Sequence, residues 1–485
     1  MRLGRWIHAS AMTLAFGLLL GGCATSSKTA SGPSLDQLLA DPALHGATVS
    51  LMVRDARSGT TLYEHNPRTR LVPASNLKLL TTAAAMDVLG PQYRFATQLL
   101  SNGIRQGDRL TGNLYLRGLG DPTIQFADYQ ALAAQLASQG VRQVQGDLVF
   151  DDTWFDAERL GVDWSHDDET TYYGAQISAL TVSPNADFDA GSVLVTAKAP
   201  ARVGQPVNVD IFPPTDYLQL SNRAVSGPGN TYGINRRHGT NLLQLSGAVA
   251  PGRQSEQLVS VWEPTQLVAN LFEQALAQQG ITVLGRRVMG GASPATATVL
   301  AEHQSAPLQE LITPLLKLSN NNMSEALLKA MGRKTANSGT AAAGVVAVAG
   351  FLKHQGLDTA TLSQVDGSGL SRRNLVSSQN LTDLLLAASK QPWFSAWYNA
   401  LPIAGNTDRM TGGSLSYRLR GTTAENNLHA KTGSMGGVSS LSGYITDAHG
   451  RQLVFSMLTN NYVVAGAQVK GLENRVAVAL SRWDD

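Results

Sequence analysis

The chain is short of cysteine, of charge and of long apolar runs, and each shortage excludes something. Its 485 residues include one cysteine, Cys23, so no intramolecular disulfide can brace the fold. Charged residues make up 15% and the formal net charge is +2, which gives no electrostatic footprint for nucleic acid. The apolar stretch near the N-terminus is too short for a comfortable membrane span. The nine histidines show no metal-type spacing, and the glycines form neither a phosphate-cradling loop nor a Gly-x-Ser-x-Gly elbow. No metal and no cofactor is implied. What the chain does have is apolar material, 43% of it hydrophobic, enough for two to four domains with sizeable cores.

The first 22 residues read as a signal peptide: "MRLGRW" supplies Arg2 and Arg5, and "ASAMTLAFGLLLGG" an apolar core. The next residue is Cys23, in "LGGCATSS", which resembles the lipobox of bacterial lipoproteins. That resemblance implies that Cys23 is lipidated and becomes the mature N-terminus, with residues 23–34 a small-residue tether. Ala24, rather than aspartate, follows it and points to the outer membrane. The protein is then exported to the periplasm and held at a membrane by its lipid alone. An ordinary secretory signal cleaved nearby is the alternative.

Beyond the tether, residues 35–94 read as two short strands around the turn "DARSG", followed by a helix over 71–90. Residues 95–264 carry many short strands and turns, interrupted by the helical "DYQALAAQLASQG". Helices return over 265–485, and three strand-like runs and an amphipathic helix close the chain. An α/β-type (α+β) domain with a large β-rich insertion explains this order.

Three clusters could carry chemistry. Ser75 and Lys78 lie three apart in "LVPASNLKLLTTAAAMDVLG", near a helix start, where exposed N–H groups favour negative charge. A neutral Lys78 would make Ser75 a nucleophile; otherwise Ser75 caps the helix while Lys78 reaches solvent. In "LLKLSNNNMSEALL", Ser319 and Asn321 present a hydroxyl and an amide between two helical runs, unless Ser319 merely caps the second. In "HAKTGSMGGVSS", Lys431 and Thr432 at a strand start suit a carboxylate, and Gly433 removes a side chain that would block close approach.

Ser-x-x-Lys on a helix start, Ser-x-Asn at a helix junction and Lys-Thr-Gly on a strand, in that order, form the motif set of penicillin-binding proteins and β-lactamases. With "LYLRGLGDPTI", "DLVFDDTWFD", "ISALTVSPN", "DGSGLSRRNLVS" and "AKTGSMGGVSSLSGY", the chain resembles the class C low-molecular-mass penicillin-binding proteins. These are the serine D-alanyl-D-alanine carboxypeptidase/endopeptidase family. The resemblance implies a serine β-lactamase-like transpeptidase domain, the β-rich insertion falling between the first two motifs. One departure is "AGNTDRMTGGSLSYRLRGT", a turn longer than the family's, expected to shift a loop rather than the chemistry.

By the same resemblance Ser75 is the acylated nucleophile, Lys78 its base, and Ser319 with Lys431 the relay to the leaving amine. Asn321 holds the substrate amide, Thr432 with Lys431 the terminal carboxylate, and the N–H groups of Ser75 and Ser434 the oxyanion. Arg372, Asp168 and Tyr173 match positions that grip a diaminopimelate end. The implied partners are peptidoglycan stems ending in D-Ala-D-Ala, D-Ala-diaminopimelate cross-links and β-lactam antibiotics. A β-lactamase-like hydrolase and a non-catalytic wall-binding scaffold are the competing readings. Two lysines converging on one pocket would lower the Lys78 pKa through burial and like charge.

Overall fold

A computed structural model of the chain describes residues 33–484. The expected leader, Cys23 and nearly all of the tether lie outside the described residues. Period-two patterning and the apolar runs in "TVSLMVRD" and "QLVFSMLTN" ask for strands buried on both faces. They become β1 (Thr48–Asp55) and β5 (Gln452–Asn460) of a five-stranded sheet, with β2 (Thr61–His65), β3 (His429–Met435) and β4 (Val438–Thr446) between them in sequence. The order is β2-β1-β5-β4-β3, antiparallel throughout, so β3 is an edge.

Helices α1 (Lys78–Val88), α2 (Leu308–Leu318), α3 (Asn321–Ala336), α4 (Ala341–His354), α5 (Ser378–Ala388) and α6 (Gly466–Ser481) complete this body. Alternate side chains of β5 enter different cores. Leu453, Phe455 and Met457 pack with Leu472, Val476 and Leu480 of α6. Val454 and Leu458 pack with Leu381, Leu384 and Leu385 of α5 and with the apolar length of α1. That second core explains why α1 is buried on nearly every side.

The β-rich insertion has its own sheet and core, and it reaches further along the chain than residue 264. Strand Thr298–Gln304 pairs antiparallel with Ala96–Ser101, and Arg287–Met289 pairs with Leu148–Asp151 in the same five-stranded sheet. Helix Pro264–Gln278, expected in the penicillin-binding domain, buries Leu267, Leu271 and Phe272 with Leu132 and Leu136 of helix Phe126–Ser138 inside the insertion. An amphipathic run announces a buried face but not which core receives it.

Helices α3 and α4 meet at 77° with Gly344 at the contact, where an added Cβ would lie 2.1 Å from the Leu328 carbonyl oxygen. Gly350, on the same helix, has nothing within 4 Å. Glycine in a helix interior costs about 0.5–1 kcal/mol relative to alanine. Gly350→Ala therefore stabilises by about that amount in denaturant unfolding, while Gly344→Ala destabilises despite the same gain in propensity.

Candidate active site

The helix expected over 71–90 starts late, for a local reason. Leu71 is tied to Val376 by a β-bridge, and Ala74 turns the backbone left-handed at φ 47°. A 3-10 turn over Ala74–Leu77 then carries Ser75, and α1 opens at Lys78. The three-residue spacing survives the change of helix type, because residues i and i+3 eclipse in a 3-10 turn. Lys78 Nζ lies 3.0 Å from Ser75 Oγ, 2.6 Å from Asn321 Oδ1 and 2.8 Å from the Ser368 carbonyl oxygen.

Ser319 ends α2 in the left-handed region, at φ 62°. The cap of α3 falls to Asn320 instead, whose side chain accepts from Met323 N at 2.9 Å. Ser319 Oγ is thereby left to accept from Lys431 Nζ at 2.9 Å. Asn321, the first residue of α3, donates its amide to the Tyr173 carbonyl oxygen at 2.8 Å. The three clusters therefore meet in one place, two of them at left-handed backbone that a non-glycine residue adopts only at a cost.

Both lysines are buried beneath the site, each with 0% of its surface exposed. Burial brings Lys78 down to about 7, against the opposing pull of the Glu325 and Asp366 carboxylates. Lys431 is held well below the ordinary lysine range, by burial first and then by the charge of Lys78. The like-charge effect expected at Lys78 thus falls on Lys431 instead. Burial alone carries the shift at Lys78.

Above the lysines opens a cleft of about 670 Å3, lined by Ser75, Ser319, Asn321 and Ser434 and also by Arg372, Asp168 and Tyr173. Asp163, Asp167 and Asp189 add to an acidic wall. Arg372 donates to the Gly436 carbonyl oxygen at 2.7 Å, beside the edge strand, and the Tyr173 hydroxyl donates to Asp168 at 2.9 Å. Thr432 lies off this lining, its hydroxyl 2.7 Å from that of Ser414. Ser414 belongs to the lengthened turn, so that turn touches a candidate binding residue directly.

The model of the D-Ala-D-Ala carboxypeptidase 3 (S13) family matches residues 32–482. The chain belongs to that family. It is similar to a D-alanyl-D-alanine carboxypeptidase of Actinomadura sp. (strain R39), 44% identical over 93% of this chain and 84% of that protein. Penicillin binding protein 4 of Haemophilus influenzae superposes with a TM-score of 0.80 at 25% identity, covering 90% of this chain and 97% of that one. The same protein complexed with a β-lactam superposes at 0.75, with the same identity and coverage.

This S13 chain also holds groups that its motifs do not announce. Glu325, fully buried on α3, accepts from Gly367 N at 2.9 Å and Ser368 N at 2.8 Å. It thereby fixes the loop whose Ser368 carbonyl meets Lys78. Asp366 accepts from Gly369 N, Ser371 N and Asn374 Nδ2 at 2.7–2.9 Å and holds the same loop from within. Burial, followed by the neighbouring Asp366 carboxylate, pushes Glu325 up to about 7. One signal was available: Asn321 and Glu325 are four apart, on one helical face, within an apolar run.

Gly433 does permit close approach, though to the serine's own turn. A Cβ there would lie 2.2 Å from Ser440 Oγ, 2.7 Å from the Pro73 carbonyl oxygen and 3.0 Å from Ser75 N. Gly433→Ala pushes β3 away from that turn, and an error of about 1 Å at a reacting group costs on the order of a hundredfold. The expected result is a fall of that size in the rate of labelling by fluorescent penicillin, from a protein that still unfolds cooperatively.

Proposed function

We propose that this S13 protein is a serine-type D-Ala-D-Ala carboxypeptidase that also cuts peptide cross-links of peptidoglycan, with Ser75 as its nucleophile. The observation that carries the reading is the 3.0 Å contact between Lys78 Nζ and Ser75 Oγ, made by a buried amine whose three hydrogen bonds all go to neutral oxygens. A neutral lysine keeps two N–H groups and a lone pair. Asn321 Oδ1 and the Ser368 carbonyl take the two N–H groups, and the lone pair is left to receive the Ser75 proton.

Ser75 Oγ then attacks the carbonyl carbon of the penultimate D-alanine, and the backbone N–H groups of Ser75 and Ser434 stabilise the oxyanion. As the C–N bond breaks, the proton that Lys78 took from Ser75 is relayed through Ser319, whose hydroxyl Lys431 Nζ holds at 2.9 Å, to the leaving amine, so that neither lysine ends with a changed charge. Thr432 and Lys431 receive the terminal carboxylate, with Ser414 orienting the Thr432 hydroxyl. Water finally hydrolyses the acyl-enzyme, regenerating Ser75. A β-lactam follows the first half of this course, but its leaving amine stays attached and the ester persists.

Arg372 and the acidic wall of Asp168, beside Tyr173, suit the carboxylate and ammonium of a diaminopimelate end. The exported, periplasmic location and the lipid on Cys23 belong to the same proposal and rest on "LGGCATSS". Palmitate incorporation, lost in Cys23→Ser, tests the anchor.

Mass spectrometry after exposure to benzylpenicillin should find one long-lived adduct, on Ser75, and none in Ser75→Ala. Rapid turnover of the drug instead would favour a β-lactamase. Purified cross-linked muropeptides should yield free D-alanine and separated stems.

Acylation should rise with pH through about 7, as Lys78 loses its proton. Glu325→Gln removes a carboxylate that, where ionised, favours the charged lysine, so its acid limb should move to lower pH.

A further inference from the structure

The segment carrying Asp168 and Tyr173 walls the cleft and also bears a second cluster, which the proposed reaction does not use. "SHDDE" folds into a one-turn 3-10 helix, His166–Asp168, with Ser165 Oγ accepting from Asp167 N at 3.3 Å. Residues three apart eclipse in such a turn, which sets His166 over Glu169. Facing them is His238, in the hairpin between strands Gly233–Arg236 and Leu242–Ser246. Its Nδ1 lies 2.8 Å from Glu169 Oε2, and its ring centre 5.0 Å from that of His166. One ligand atom from each of the three falls within 4.8 Å of the others.

We propose that His166, Glu169 and His238 bind a divalent transition-metal ion of the zinc class. Two imidazole nitrogens and one carboxylate oxygen are a donor set that zinc takes, leaving a fourth position for water. Metal–ligand distances near 2.0–2.1 Å require ligand atoms roughly 3.4 Å apart. Both imidazoles are exposed, so ring rotation supplies the remaining closure.

The carboxylate is anchored from behind. The Glu169 backbone oxygen accepts from Arg236 Nη2 at 2.7 Å and from Ser260 Oγ, and its side chain is only 12% exposed. Arg236 is turned onto carbonyl oxygens and over the Trp262 ring, while Trp262 packs edge-on against His238 at 5.8 Å. Sequence spacing hides the site, because Glu169 and His238 are 69 residues apart.

The bound ion would clip the cleft wall to the hairpin that carries His238, a cross-link that a chain with one cysteine cannot make by disulfide. Its reach extends to the reaction site, because the Tyr173 carbonyl on this wall holds the Asn321 amide.

The test uses the full chain, freed of metal with a chelator and titrated with zinc chloride by calorimetry. The expected result is one ion per chain with micromolar or tighter affinity, a higher Tm, and slower hydrogen exchange over residues 163–174. In the His166→Ala/His238→Ala variant, affinity should fall at least about tenfold and the Tm gain should vanish. Penicillin labelling without metal should proceed at the wild-type rate, which verifies that the variant is folded. His166→Ala alone, which removes a ring with no side-chain hydrogen bond among the described residues, serves if the double variant fails to fold. No uptake by the wild type, or unchanged affinity in the folded variant, overturns the site.

Discussion

An amine taken out of water with no carboxylate bonded to it is the constraint on which the rest depends. Lys78 gives up its hydration for three neutral oxygens. Its folded pKa, about 7, lies below the ordinary 10.5. Between those values the unfolded chain holds a proton that folding must release, so this group opposes folding most at low pH and least as pH rises. In the proposed mechanism that cost keeps a lone pair beside Ser75. The bare Gly433 and Gly369 let β3 and the Asp366 loop close on the Ser75 turn, where an added Cβ at Gly369 would lie 1.9 Å from the Ala74 carbonyl oxygen. Glu325 and Asp366 pin that loop through backbone N–H groups rather than by pairing with the amine.

How legible the site was in the sequence depended on the range of each interaction. Ser75 and Lys78 are neighbours in the chain, so their contact could be anticipated even though the expected helix proved to be a 3-10 turn followed by α1. Ser319 left two readings open, and a single residue resolved them: Asn320 takes the cap and frees the Ser319 hydroxyl. Glu325 gave little sign of itself, since an acid four residues past Asn321 is ordinary on any helix. Only the fold sets it against Gly367 and Ser368. Ser414 was hidden in a turn assigned no chemical part.

The fold was legible in kind and less so in extent. Strand-like runs and the turn "DARSG" marked the central sheet, and helical runs marked the helices around it. The run "TQLVANLFEQALAQQG" was recognisably helical, yet its partners, Leu132 and Leu136, lie in the insertion. Which core accepts a helix is decided by strands such as Thr298–Gln304, which return to pair with Ala96–Ser101. Nothing local to either strand records that pairing.

The closing of β3 on the serine's turn also bears on when the machinery comes into being. Ser440 Oγ bonds the Pro73 carbonyl across 367 residues, and Asn460 holds Val72 across 388. Contacts of such separation form late, because the intervening loop must close first. A chain synthesised and exported from its N-terminus therefore carries Ser75 for most of its length before the strand that completes the pocket exists. If Ser75 acts as proposed, the nascent polypeptide has no completed pocket around it until its last strands arrive, which delays its chemistry without a propeptide.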